Sequence, residues 1–497
     1  MAPAFPETIP ELLAWRAATS SGPWLLSGGD SWTLDEVADQ VDAYAVGLAE
    51  HGVGHGDRVA LLLGNEPATL FAWFAANTLG AIAAPLNHAL KPPELAGLLG
   101  LMRPRVLAVD EHGALARAAC GALGAGARPI LAKPADLAAA GKGAPRPHVV
   151  PDDVAVLIAT SGTTGTPKAV MQTHRAYCLT AEAFPAWLGL TGADRLLATL
   201  PLFHVNAQAY SVMGALGAGG SLALLPRFSA SSFWSEARRL QATQVNVVGA
   251  MLHILLQRDP SPGDRQHALR VCYAALALPE GRHRAFEERF GLALTVGYGM
   301  SETTFGTVWP SGEAPRYGSM GRLRQHPRLG EINRARVVRD DGMDAADDEQ
   351  GELWLANPAT MRGYWDDPAA SASALAGGWL HTGDLVRRDA DGFFTFVARK
   401  KEIIRRRGEN VAAAEVEGAL LSHPSVAEAA VVGAPSELGE EEIVAYVAPR
   451  AGAVLDVAAL RAWLLERLAD FKVPARILVR DALPRTATER VAKHLLR

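Results

Sequence analysis

The stretch TSGTTGTPKAV, residues 160–170, sets Gly162 and Gly165 among the hydroxyls of Thr160, Ser161, Thr163, Thr164 and Thr166, with Lys168 close behind. Glycine lets backbone N–H groups turn inward, and such a nest cradles anions. The hydroxyls add donors and the lysine adds positive charge. The set is suited to holding an oxyanion, specifically phosphate. A polar surface turn has the same composition, so the loop alone leaves both readings open. It is not the phosphate loop of common nucleotide hydrolases, which needs four residues between its last two glycines and a lysine directly after the second. Here the glycines are too close, and Pro167 precedes Lys168.

The elements around the loop follow from pattern. Val156, Leu157, Ile158 and Ala159 read as an apolar strand, and VMQTHRAYCLTAEAF reads as helix after the Pro167 break. The expected order is therefore strand, loop, helix. RVALLLG, RVLAVD, AVLIAT, RLLATLPLF, GSLALLP and QVNVVGA are further strand candidates, with helical patterns such as LDEVADQVDAYAVGLAEHG and EPATLFAWFAANTLG between them. That alternation predicts α/β units with largely parallel sheets. Near Gly342 the strands become shorter and turn-bounded, with Asp391-Gly392 a turn signal. VAAAEVEGALLSHP and LDVAALRAWLLERLADF then read as helices, and VAEAAVVGAP and EEIVAYVAP as strands, forming a small α/β unit at the C-terminal end.

Composition bounds the rest. A chain of 497 residues is too long for one simple core, so two or more domains are expected. Hydrophobic residues make up 49% and charged residues 20%, a soluble globular composition. Lysine and arginine total 48 against 53 acids, a net charge of -5, which asks for neither nucleic acid nor an acidic membrane. Cys120, Cys178 and Cys272 have no metal-ligand or CxxC spacing, so a reduced, cytoplasmic setting is expected. The first residues lack a signal-peptide pattern. ATLFAWFAANTLGAIAAPL is broken by polar residues, Gly and Pro, and predicts a buried helix and strand rather than a membrane span.

TSGTTGTPKAVMQTH, GYGMSETT, HTGD, ARKKEIIRRRGEN and LPRTATERVAKHLLR occur in that order. Together they resemble the adenylate-forming superfamily of acyl-CoA synthetases, peptide-synthetase adenylation domains and luciferases, over nearly the whole chain. PLFHVNAQ, LRVCYAALALPE and IIRRRGENV look most like the carnitine or crotonobetaine CoA ligase branch. The resemblance implies an α/β N-terminal domain over residues 1–398 that binds ATP and acid, a hinge at 399–402, and a mobile α+β C-terminal domain over 403–497. It also implies ATP, Mg²⁺ and a small acid, with CoA or another small acceptor as co-substrate. A homodimer is common among such relatives, and a separate carrier protein remains an open acceptor.

By the same resemblance, Thr160, Ser161, Gly162, Thr163, Thr164, Gly165, Thr166 and Lys168 hold the β- and γ-phosphates and departing pyrophosphate. Glu302 matches the Mg²⁺ carboxylate, and Ser301 the hydroxyl at the α-phosphate. Tyr298 and Gly299 line the nucleotide site, with Tyr298 stacked on adenine. Asp384 and Arg399 contact the ribose. Lys401 is the pivot, and Gly408, Glu409 and Asn410 form the loop presented for thioester formation. His204 matches the gate beside the acyl pocket, with Asn206 and Gln208 along it. A carboxylate is already ionised at neutral pH, so His204 need not be a general base. Taken singly, Glu302 also reads as a solvated loop acid, Asp384 as an Asx turn, and Tyr298 and His204 as core residues. Arg405, Arg406 and Arg407 cannot all face one strand surface; they either reach CoA phosphates or form a solvated strand end.

Three departures stand out. Arg490 replaces the lysine that bridges acid and α-phosphate, and its planar fork is wider than an ammonium. It either forms the same bridge, serves an altered acid, or is an introduced substitution. Ala275 and Leu276 replace the small pair beside adenine, and Arg406-Arg407 adds charge near the acceptor. Three functions follow: an acid–CoA ligase; an adenylate-forming ligase with an amine acceptor or an inorganic acid such as nitrite; or a nucleotide-binding relative that has lost catalysis.

Overall fold

The computed structural model describes residues 4–138, 143–160, 167–275, 278–310, 312–406, 409–435, 441–486 and 491–496, with side chains at all but 401, 405, 409, 410 and 435. The chain divides into two compact units: Met1–Ala335 with Leu355–Leu380, and Arg336–Trp354 with His381–Arg497. Among the described residues no helix is long and apolar enough to cross a membrane.

The first unit is built on two sheets, nine-stranded and seven-stranded among the described residues. In the seven-stranded sheet, Arg58–Leu62 lies between Ile82–Pro85 and Val106–Val109, all parallel. These strands are buried on both faces, which accounts for continuous apolar runs rather than alternation. Arg195–Ala198, Ser221–Leu224, Gln244–Val247, Val271–Ala274 and Ala293–Met300 form the parallel heart of the other sheet. The helix Pro67–Thr78 is buried from Thr69 onward, as an all-round apolar sequence requires. Leu34–Glu50 starts on a capping box between Thr33 and Glu36 and buries only one face.

The segment after Pro167 corrects the sequence expectation. Lys168–Thr173 is a strand, antiparallel to Val154–Thr160, and the helix begins only at His174. Thr173 caps that helix by accepting from the Ala176 N–H at 3.2 Å. Ala169, Val170, Gln172 and Thr173 are buried, so sheet packing overrides the helical pattern there. The phosphate-type loop therefore joins two strands and does not open a helix.

The second unit holds the four-stranded sheet of Arg334–Val338, Gln350–Ala356, Leu380–Arg388 and Phe394–Arg399, apart from its outermost residues. It also holds the ribbon Ile403–Arg406 with Glu409–Ala412, and the sheet of Val426–Pro435, Glu441–Pro449 and Arg476–Val479. The helices Ala413–Leu421 and Val457–Leu465 cover a small core around Val416, Leu420, Leu460 and Leu464.

Candidate active site

Thr160 and Lys168 are register partners where the two strands of the phosphate-type hairpin meet the loop. Ser161, Gly162, Thr163, Thr164, Gly165 and Thr166 lie outside the described residues. The Lys168 ammonium lies 4.4 Å from the centroid of the Tyr364 ring. Gly363–Tyr364 pairs antiparallel with Met171 and Val170 on the lysine's own strand, which is why a residue so distant in sequence arrives there.

Glu302 sits with Ser301 at the tip of a second hairpin, whose strands close at the Met300–Thr303 pair. The tip is tied down from two sides. The Gln172 side-chain amide donates to the Ser301 carbonyl at 2.6 Å, and the Met361 N–H donates to the Glu302 carbonyl at 2.7 Å. The Tyr364 hydroxyl donates to Glu302 Oε1 at 3.0 Å. Burial, reinforced by Glu302, pushes the Tyr364 phenol well up, so it remains protonated at neutral pH. Behind the hairpin, Asn357 donates to the Phe305 carbonyl at 3.0 Å and Asn333 to the Gly306 carbonyl at 2.9 Å.

Backbone approach explains two glycines on this hairpin. A Cβ at Gly299 would lie 2.5 Å from the Tyr210 hydroxyl, and one at Gly306 would run into the Tyr298 carbonyl. Tyr298 itself is buried, and its hydroxyl donates to Met300 Sδ at 3.6 Å.

Among the described residues no group of three or more His, Cys, Asp or Glu side chains could hold a metal ion. One half-buried carboxylate with Oε1 engaged by Tyr364 fits Mg²⁺, which takes most of its ligands from phosphate and water. It would not fit an ion that needs an all-protein cage.

His204 precedes a π-helical turn, Asn206–Val212, a departure from regular helix that is frequent at functional sites. The Phe203 ring lies 4.6 Å from the His204 ring. Asn206 has a buried side-chain oxygen without a hydrogen-bond partner among the described residues. Gln208 departs from the pocket-lining expectation. It is fully buried, its amide donates to the Leu202 carbonyl at 2.7 Å, and its oxygen accepts from the Tyr177 hydroxyl. Both ends are consumed in holding the turn.

In the second unit, Asp384 and Arg399 are register partners, with Arg399 Nε 2.7 Å from Asp384 Oδ1. The Asp384 N–H donates to the Thr382 hydroxyl at 3.1 Å. Lys400, the next residue after Arg399, is held by Asp340 and Glu352, each at 3.2 Å. Arg406 departs from both readings for its own position; the Arg405 side chain and Arg407 lie outside the described residues. Arg406 is buried, donates to the Phe471 and Val473 carbonyls at 2.9 and 2.6 Å, and pairs with Glu442 at 3.1 Å. It is a structural clamp on the C-terminal segment. Glu409 and Asn410 lie on the partner strand of the ribbon. Their side chains, with Gly408 and Arg490, lie outside the described residues. Sequence reasoning passed over Tyr364, Gln172, Asn333 and Asn357; only Tyr364 in RGYW, an aromatic in a polar run, offered a signal.

A phosphate-type hairpin and a carboxylate hairpin that both contact Tyr364, in a chain of two α/β units, are the parts of an adenylate-forming ligase. The chain belongs to the AMP-binding enzyme family: the family model matches residues 13–365, and the model of the AMP-binding enzyme C-terminal domain matches 415–490. A sulfoacetate–CoA ligase of Cupriavidus necator is 37% identical, over 98% of this chain and 97% of its own length. A crotonobetaine/carnitine–CoA ligase of Escherichia coli is 32% identical, over 90% of this chain and 89% of its own. The structure of o-succinylbenzoate coenzyme A synthetase from Bacillus subtilis in complex with ATP and magnesium ion superposes with a TM-score of 0.85 at 28% identity, covering 98% of each chain.

Proposed function

We propose that this ligase activates a small carboxylic acid as its acyl-adenylate and passes the acyl group to CoA. One carboxylate oxygen attacks the α-phosphorus of ATP and pyrophosphate leaves. The CoA sulfur then attacks the acyl carbon and AMP leaves with the bridging oxygen. The barrier is largely electrostatic, because two anions must meet. The observation that best supports this reading is the meeting of Lys168 and Glu302 on Tyr364. Lys168, with Thr160 and the hydroxyls of Ser161, Thr163, Thr164 and Thr166, would draw charge off the β- and γ-phosphates. Glu302 would hold Mg²⁺, which offsets phosphate charge when bound. Ser301 would meet the α-phosphate, Tyr298 and Gly299 the adenine, and Asp384 and Arg399 the ribose. His204 and Asn206 would border the acid, and Arg490 would bridge acid and α-phosphate.

The same reading assigns residues 1–398 to the ATP- and acid-binding domain and 403–497 to a mobile domain. It places the hinge at 399–402, and Gly408, Glu409 and Asn410 beside the thiol in the second orientation. The same reading sets it in the cytoplasm and leaves its oligomeric state open, a homodimer being the form expected from the resemblance. A second reading keeps the adenylate and changes the partner, with an amine acceptor or an inorganic acid; Arg490 in place of lysine favours it. The test is mass spectrometry of the protein with MgATP and a panel of benzoates, short aliphatic acids, betaines, sulfonated acids and nitrite. Each is run alone, with CoA, and with an aromatic amine. AMP with an acyl-CoA supports the first reading. AMP with an amide or diazo product and no thioester replaces it with the second. Bound ATP with no AMP from any acid rejects both.

A further inference from the structure

Lys168 and Glu302 come from different hairpins, and both end on the side chain of Tyr364, the ammonium on its ring face at 4.4 Å and the carboxylate on its hydroxyl at 3.0 Å. Among the described residues no ion pair joins the two. A direct Lys168–Glu302 pair would spend on itself the charges that MgATP has to meet. A neutral phenol avoids this. Its quadrupole face attracts the cation and its O–H satisfies the anion, yet it cancels neither charge.

We propose that Tyr364 is a positioning residue that holds Lys168 and Glu302 apart and aims them together at MgATP, so that the phosphate lysine and the metal carboxylate act as one unit. This rests on the site reading above. The backbone of Tyr364 is fixed without its side chain. It pairs with Val170, and its N–H donates to Ser371 Oγ at 2.8 Å. Ser371 Oγ in turn donates to the Asp367 carbonyl at 2.7 Å, at the start of the helix Pro368–Ala374. The tyrosine ring is therefore presented by a frame that side-chain substitutions leave in place.

The test is calorimetric ATP binding, with and without Mg²⁺, on the full chain, with melting midpoints as the folding control. Tyr364→Phe keeps the ring face and deletes the hydroxyl. The Mg²⁺ needed for half-maximal ATP binding should rise about tenfold, while metal-free ATP binding stays unchanged. In a Glu302→Gln background the same change should have no further effect. Tyr364→Leu removes both contacts and should also weaken metal-free ATP binding about threefold. If Tyr364→Phe weakens binding equally with and without Mg²⁺, or adds fully to Glu302→Gln, the inference falls while the site reading stands. Wild-type protein that does not bind MgATP overturns the site reading and this inference with it.

Discussion

Asp384 and Arg399 face each other in the antiparallel register of their strands, and the guanidinium Nε lies 2.7 Å from a carboxylate with no solvent exposure. Arg399→Ala takes this guanidinium away from the buried carboxylate. Breaking a fully buried pair costs about 3–5 kcal/mol, and because Arg399 itself is partly in water the expected loss here is about 2 kcal/mol. Urea unfolding of Arg399→Ala beside Asp384→Asn measures it. An unchanged midpoint in Arg399→Ala would mean that solvent replaces the pair without loss.

Acid should weaken the protein in two windows. His174 is fully buried and accepts from the Ile9 N–H at 3.3 Å; burial pushes it down from 6.5 to about 4. Its folded value lies below the unfolded one, so the unfolded chain takes up the proton first. The contribution is full above about 6.5 and is lost as pH falls towards about 4. Burial would raise Glu182, but His326 and Arg328 outweigh it and hold the carboxyl at about 2 against 4.5, so its contribution disappears between those values. Each is on the order of 3 kcal/mol. His174→Gln should flatten the upper window and Glu182→Gln the lower one, read from denaturant midpoints across pH.

Gly306→Ala should act on the nucleotide. The added methyl meets the Tyr298 carbonyl, so the hairpin must shift and carry the tyrosine ring with it. Overpacking of this kind costs about 1–3 kcal/mol, so ATP affinity should fall roughly tenfold or more by calorimetry. Unchanged affinity would remove Tyr298 from the adenine site.

Lys493 Nζ lies 2.7 Å from Glu402 and 2.8 Å from Glu417. Burial pushes the Glu417 carboxyl up even with that ammonium beside it. Lys493→Met should loosen the helix Ala413–Leu421 by about 2–4 kcal/mol, seen as faster amide exchange there. Glu417→Gln should cost much less, because the lost charge was already disfavoured by burial.

Much of the scaffold was legible because the parallel strands are continuous apolar runs, as in Val106–Val109, bounded by turn residues. Leu34–Glu50 was legible from its helical pattern of apolar residues. Lys168–Thr173 was not, since its apolar spacing suits a helix and only its pairing with Val154–Thr160 makes it a strand. The site separates in the same way. Glu302, Lys168, Asp384 and Arg399 stand in compact motifs with recognisable chemistry. Tyr364 gains its place from a two-residue strand laid against Val170, and Gln172 from reaching the Ser301 carbonyl. Arg406 looked like surface charge because no local pattern announces that Phe471, Val473 and Glu442 will surround it.

Cys120, Cys178 and Cys272 are all buried, and burial pushes each thiol up. Thiolate is the reactive form, so the native cysteines should stay silent towards maleimides while the protein is folded. Cysteines introduced at Ile254, 42% exposed, and Val454, 92% exposed, would then take a donor and an acceptor dye against a dark background. One lies in each compact unit. Single-molecule energy transfer could follow any swing about residues 399–402, turnover by turnover, without replacing a native thiol.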